Sequence, residues 1–409
     1  MILKAILGIN VLIFNALDDI KVLNKPQKDF FIEIMLLFIS IQGRMNFLQF
    51  GRYGKFSEQR YRQQFEKQFD FLSFNKEITL SHGSGNFAIA FDPSYISKSG
   101  KKTYGFDKYW SGVAKQAKFG LEISGIAAVD IDNKTAFHLE AVQTPTHVDI
   151  KEKDMSLLDW YANIIVQRKD MFSKISNYIV ADAYFSKKPF ADKIIEDAQM
   201  HLISRLRNDS DLKYLYLGES TGKKGRPKKY DGKINLKSID KKYFKLVLNN
   251  DQTTIYTAIV YSKGLKRNIK LVYEQPKAEK TKSYLLFFST DLKLDALEIL
   301  QYYKNRFQIE FLYRDGKQHT GLNDCQARSE NKLYFHFNAS LTAINLAKVE
   351  HWLSTPKKER GAFSMSDIKT MYHNKLLLER FIDVFAIPAY KLKNNNNVKE
   401  LINFGKIAA

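Results

Sequence analysis

Tyr303, Arg306, Glu310 and Lys317 stand at spacings of 3, 4 and 7 in the segment YYKNRFQIEFLYRDGK. On a helix turning about 100° per residue, all four fall within an arc of about 60°. One predicted helical stripe then carries a carboxylate between two cations, with a phenol one turn from the arginine. Such a stripe suits a site that binds metal and holds phosphate; the plainer alternative is a solvated face laced with i, i+4 salt bridges. Two further acids bear on that choice. Asp92 ends the apolar, β-prone run NFAIAFDPS, and Asp182 follows the strand-like Tyr178-Ile179-Val180-Ala181. A lone aspartate at a strand end is commonly a turn former or helix N-cap. With Glu310 they make three carboxylates, two leaving strands and one on a helix. Three hard-oxygen donors are what two divalent cations about 4 Å apart need for an in-line phosphoryl transfer. His82, the nearest histidine to Asp92, has no partner at ligand spacing.

Tyr-x2-Arg-x3-Glu-x6-Lys, read at Tyr303, Arg306, Glu310 and Lys317, resembles the signature of the DDE transposases of the insertion-sequence 4 family. The segments DAYF from Asp182 and FDPSYISKSGK around Asp92 resemble its two aspartate motifs, and KYWSG, HLISRLRNDSDLKYLY, GRPKKYDGK and GLNDCQARSE fit as well. The resemblance runs from about residue 45 to about residue 350. It implies that Asp92, Asp182 and Glu310 are catalytic and bind two Mg²⁺ ions, with Mn²⁺ able to substitute. It implies DNA contacts by Tyr303, Arg306 and Lys317, joined by Lys98 in the first aspartate motif. The implied reaction is cut-and-paste transposition: cleavage at the element's terminal repeats, then joining to target DNA, with a homodimer on paired ends as a possible assembly. Some members pass through a DNA hairpin with a flipped base stacked on an aromatic, often a tryptophan of the insertion; the corresponding stretch here contains none.

Composition points the same way. The chain has 409 residues, 44% hydrophobic and 26% charged, which reads as globular with a sizeable core. Its net charge of +20 asks for a polyanionic partner, and disfavours a glycosidase built on paired carboxylates. The lone Cys325 excludes an intrachain disulfide and a cysteine zinc cluster and fits a reducing, cytoplasmic compartment. Residues 5–17 are apolar after a single lysine but lack a small-residue cleavage site, and 30–41 are too short to span a bilayer; both read as buried helices, with no membrane role.

Along the chain, residues 1–84 read as a helical N-terminal DNA-binding domain. Its last part mixes Arg44, Arg52, Lys55, Arg60 and Arg62 with aromatics, which suits phosphate contacts, Arg52 among them. Strands are expected at 87–92, 121–131 and 135–143, a helix at 156–175, the Asp182 strand fourth, a helix at 188–200 and a strand at 201–207. That order is α/β, a ribonuclease H-like mixed sheet with helices on its faces, over 85–207 and 289–353. Asp92 and Asp182 would be neighbours in it; Asp107, Asp130 and Asp132 are rival first carboxylates. Residues 208–288 read as a β-rich basic insertion, with a hairpin around Asn-Asn-Asp at 249–251. Between 208 and 270 there are 15 Lys and Arg against 6 Asp and Glu. KKGRPKKY within it presents Arg226 as a minor-groove hook or a basic turn. Residues 332–353 read as an amphipathic helix, and 354–409 as a helical C-terminal region with a helix at 365–386. Trp110, Trp160 and Trp352 read as core residues. Two other readings stay open: a metal-dependent nuclease on the same fold without strand transfer, and a DNA-binding remnant without catalysis.

Overall fold

The structure is a computed structural model that describes residues 8–18, 23–218, 227–277, 284–388, 392 and 395–407. Arg226 lies outside the described residues.

Five helices come first: α1 (Gly8–Asp18), α2 (Lys25–Ser40), α3 (Phe47–Tyr53), α4 (Glu58–Gln64) and α5 (Phe71–His82). Each of α2 to α5 opens on a side-chain cap (Asn24, Asn46, Ser57 and Asp70), which satisfies amides that the helix itself cannot. The first strands are β1 (Phe87–Ile96), β2 (Asp107–Ser111), β3 (Gln116–Asp130) and β4 (Thr135–Gln143). Helices α6 (His147–Glu152), α7 (Leu157–Val166) and α8 (Lys169–Phe172) lead into β5 (Tyr178–Val180). α9 (Lys188–Asp192) runs into one π-helical turn before β6 (His201–Leu206). Then come β7 (Leu212–Leu215), β8 (Tyr230–Lys233), β9 (Lys245–Asn249), β10 (Thr253–Ser262), β11 (Arg267–Pro276) and β12 (Leu285–Ser289). The chain closes with α10 (Ala296–Asn305), α11 (Gln308–Gln318), α12 (Glu330–Ser354), α13 (Met365–Val384) and α14 (Asn396–Asn403).

All twelve strands join one mixed sheet, in the order β2-β3-β1-β5-β6-β12-β11-β10-β7-β8, with β4 on β3 and β9 on β10. The expected strand and helix order is present with two additions, β2 and α6, and the helix expected at 156–175 is broken into α7 and α8. Residues 107–111 form a strand, so the Asp182 strand is fifth rather than fourth. The expected hairpin at 249–251 joins β9 to β10. The strands between 208 and 288 extend the same sheet, because β12 pairs with β6 on one side and β11 on the other.

Alternation along β1 builds a core on each face of the sheet. Phe87, Ile89 and Phe91 enter one cluster with α7 and α9; Ala88 and Ala90 enter the other, with α2, α5 and α10 to α13. On that second face α12 packs on β4, and α11 lies across β1 and β3. Expected to be amphipathic, α12 is instead buried all round from Phe335 to Glu350. The N-terminal helices cover the side that solvent would otherwise wet: Phe30, Phe65, Phe69 and Phe71 all pack rings on Phe335.

Strand β4 pairs only with β3, and α12 satisfies its other edge. Asn338 Oδ1 accepts from the Ala141 amide at 2.8 Å and its Nδ2 donates to the Ala141 carbonyl at 2.9 Å. Two turns on, Asn345 makes the same pair of bonds with His138, at 2.8 and 2.7 Å. Two buried amides thus stand in for a neighbouring strand, meeting backbone groups that would cost free energy if left unpaired.

Trp110 is not a core residue. It is 64% exposed on β2, while Trp160 and Trp352 are partly buried. Among the described residues, no helix is long and apolar enough to cross a membrane.

Candidate active site

β1 and β5 are parallel neighbours, with Ile89 opposite Ile179 and Ala90 opposite Val180. Two residues on from that pair, Asp92 stands inside β1, which runs on to Ile96, and Asp182 lies just past the end of β5 at Val180, on chains about 4.8 Å apart. The two acids 90 positions apart in sequence are therefore brought side by side where β5 ends. Asp182 caps a short 3₁₀ turn, its Oδ1 accepting from the Tyr184 amide at 2.9 Å, and its carbonyl accepts from Ser204 Oγ at 2.8 Å.

The expected single helix from 303 to 317 is two helices. α10 ends at Asn305 and α11 begins at Gln308. At the junction the Arg306, Ile309 and Glu310 amides donate to carbonyls three residues back, at 2.9–3.1 Å, so the chain tightens into a 3₁₀-like turn. The break keeps Arg306 aimed at the sheet. Its guanidinium lies 3.4 Å from Asp92 Oδ1 and 2.9 Å from Glu310 Oε1, joining the acid on the strand to the acid on the helix. Lys317 Nζ donates to Ser94 Oγ at 3.0 Å. Tyr303 packs its ring on Phe287, centroids 5.0 Å apart, and shares an open cavity of about 520 Å³ with Asp182, Arg205 and Arg207.

Asp92 carries the strain of this arrangement. Its carboxyl is held up at about 7: burial raises it most, Arg306 pulls it down, and Asp182, Glu310 and Glu122 add to the rise. Burial likewise lowers the Lys317 ammonium, against the pull of Asp92, and raises the Tyr303 phenol.

Four residues join the site that sequence reasoning missed. Tyr313 donates its hydroxyl to the Asp92 carbonyl. It lies three residues after Glu310 and seven after Arg306, so it belongs to the same helical stripe, and the spacing was there to be read. It needs Gly125, the β3 residue paired with Asp92: a methyl group there would stand 2.7 Å from Tyr313 Cζ and closer still to its hydroxyl. Ser94, two residues after Asp92, shares its strand face. Glu122 is buried on β3, where Tyr161 and Thr144 hydroxyls donate to Oε1 at 2.6 and 3.0 Å. Arg205 on β6 reaches the Tyr303 side by folding alone; nothing local marks it.

Other expected residues stand apart. Lys98 is partly buried and gives its ammonium to the Cys325 carbonyl. Arg52 is exposed in the last turn of α3, its carbonyl 3.4 Å from Arg380 Nη2. The rival acids are structural ties. Asp130 accepts from the Ser84 and Asn133 amides and closes the turn after β3; Asp132 accepts from Asn86; Asp107 pairs with His147 at 2.8 Å.

The donor set of Asp92, Asp182 and Glu310 is all carboxylate, which fits a hard divalent cation. The upward push of the two other acids on Asp92 is the crowding of negative charge that a cation relieves. Among the described residues no three His, Cys, Asp or Glu side chains are grouped closely enough to hold an ion, and Arg306 bridges two of the acids instead.

No curated protein matches the chain. A family model described as a transposase DDE domain matches residues 165–346, a span that includes Asp182, Glu310 and the whole Tyr-Arg-Glu-Lys stripe. That match supports a DDE transposase, an enzyme acting on DNA.

Proposed function

We propose that this protein cuts the ends of its own insertion element and joins them to target DNA, with Asp92, Asp182 and Glu310 as the catalytic carboxylates on a ribonuclease H-like core. The observation that carries the reading is the register of β1 and β5, which levels Asp92 with Asp182, together with the Arg306 contact that brings in Glu310. In the cut, a water oxygen bonds to the scissile phosphorus, the bond from phosphorus to the 3′-oxygen breaks, and that oxygen takes a proton. In joining, the freed 3′-hydroxyl attacks a target phosphorus and a target 3′-oxygen leaves.

The three carboxylates would hold Mg²⁺, two ions per site, or Mn²⁺ in its place. Bound there, such ions would acidify the attacking oxygen and neutralise the leaving one. The chain's own groups do the positioning. Arg306 is a planar fork that binds phosphate in two-point fashion. An incoming phosphate competes with Asp92 and Glu310 for it, and by drawing it away would free both acids. Lys317, anchored on Ser94, holds a phosphate as a point charge. Tyr303 hydrogen-bonds a terminal phosphate in the cavity it shares with Arg205 and Arg207. Tyr313 fixes the backbone of Asp92 so that the carboxylate keeps its aim.

The test is Mg²⁺-dependent cleavage of DNA carrying the flanking ends of the encoding element, by wild type and Glu310→Ala. Nicking at the ends in wild type alone supports the reading, and joined products separate a transposase from a nuclease. The Arg306 bridge across Asp92 and Glu310 favours a second reading, a DNA-binding remnant; metal-independent binding without cleavage by either protein would support that instead.

A further inference from the structure

The site leaves unused the most exposed aromatic surface on the sheet. β3 residues 121–125 pair with β1, but residues 116–120 run beyond the end of β1 and pair only with β2. β2 is the last strand of the sheet on this side, so the two form a free-standing ribbon closed by the turn 112–115. Its inner face is anchored: the Tyr109 hydroxyl is within 3.2 Å of the Gly105, Thr144 and Pro145 carbonyls. Its outer face presents Lys108, Trp110 and Phe119, since directly paired residues share a face and Trp110 pairs with Ala117, Lys108 with Phe119.

Trp110 is 64% exposed, Val113 at the tip fully exposed and Phe119 58% exposed. Phe119 is occupied, stacked on Phe106 and covered by Lys108. The Trp110 indole makes no ring contact or hydrogen bond among the described residues. Residues 98–119 hold six lysines and one acid, Asp107, which is paired with His147. Lys108, Lys115 and Lys118 are all exposed: Lys108 shares the indole's face, Lys115 stands in the turn, and Lys118, paired with Tyr109, belongs to the other face. A bare aromatic face flanked by cations matches the two surfaces of a nucleic acid strand, the π-face of a base and its phosphates. A two-stranded ribbon also has the width that the major groove admits.

We propose that the β2–β3 ribbon is a DNA-contacting finger in which Trp110 stacks on an unstacked base while Lys108 and Lys115 hold the neighbouring phosphates. This rests on the reading of the protein as one that acts on DNA. The finger does not work at the scissile phosphate. Eight residues of β3 separate Gly125, opposite Asp92, from Ala117, opposite Trp110, about 26 Å at about 3.3 Å per residue. That is roughly seven or eight base-pair steps at about 3.4 Å each. The finger therefore takes DNA flanking the cut.

The experiment compares full-length wild type, Trp110→Ala and the double variant Lys108→Glu/Lys115→Glu in metal-free buffer. Fluorescence anisotropy follows binding to a labelled duplex with an eight-nucleotide unpaired flank and to the fully paired duplex, at two salt concentrations. Circular dichroism should show all three equally folded, because the altered side chains are exposed. Trp110→Ala should weaken binding to the unpaired flank about tenfold, the size of one lost base stack, and weaken the paired duplex far less. The charge reversals should weaken both and flatten the salt dependence. If Trp110→Ala binds the unpaired flank like wild type, or loses equally on both DNAs, the finger is overturned and the DNA reading stands. If wild type binds neither DNA, both fall.

Discussion

Replacing Asp92 with asparagine should stabilise the protein, and by an amount that depends on pH. The Asp92 carboxyl is raised from 3.8 to about 7, first by burial and then by Asp182, Glu310 and Glu122, against the pull of Arg306. A carboxyl raised on folding binds its proton more tightly in the native state, so the wild type loses stability as pH climbs from about 4 to about 7. Three pK units correspond to about 4 kcal/mol as a ceiling. The side chain is 20% exposed, so water screens part of this, and about 2 kcal/mol is a fair expectation. For a chain of this length that is a rise in Tm of about 2–5 °C for Asp92→Asn at pH 8.5, shrinking towards zero at pH 4.5. Differential scanning fluorimetry in metal-free buffer across that range reads it directly. Adding Mg²⁺ should then narrow the gap, because a cation held by Asp92 removes the penalty in wild type alone. A gap that is the same at both pH values, or a wild type more stable than the variant at pH 8.5, would refute the electrostatic reasoning. Equal stabilisation of both proteins by Mg²⁺ would remove Asp92 from the metal-binding set.

Three further outcomes follow from the packing. Gly125→Ala puts a methyl group into the Tyr313 ring and should cost about 1–3 kcal/mol in urea unfolding, with cleavage lost alongside as the Asp92 backbone shifts; Gly125→Ala combined with Tyr313→Leu should recover much of the stability and none of the positioning. Asn345→Leu strips β4 of one of its two edge partners and should cost about 1–3 kcal/mol by the same measurement, since the His138 amide and carbonyl are left buried and unpaired. Arg306→Lys keeps a charge but not the fork, and should lower DNA cleavage at least tenfold while leaving Tm within about 2 °C, which separates phosphate positioning from a purely structural salt bridge.

Strands β1, β3, β4, β5 and β6 were legible in the sequence because short alternating or apolar, β-branched runs are a local signal. Asp92 and Asp182 could be named because each follows such a run. The Tyr-Arg-Glu-Lys stripe was legible as spacing, and Tyr313 belonged to it unread. The break at Arg306 was not legible. Its partner Asp92 is 214 positions away, and a helix former at that position gives no local sign that a distant carboxylate will claim its side chain. Trp110 misled for a related reason: tryptophan in a β-prone run is buried or bare according to what packs on it, and β2 lies at the sheet's end with nothing over its outer face.

Charge, the three carboxylates and the Tyr-Arg-Glu-Lys stripe belong to the sequence, since residue type and short-range spacing define them. Tertiary structure alone decided that α12 is buried all round, that the strands between 208 and 288 continue the core sheet through β12, and that the Asp92 carboxylate meets Arg306. Each of these rests on contacts between residues far apart in the chain, whose free energy comes from burial and pairing across the fold and leaves no mark on any local segment.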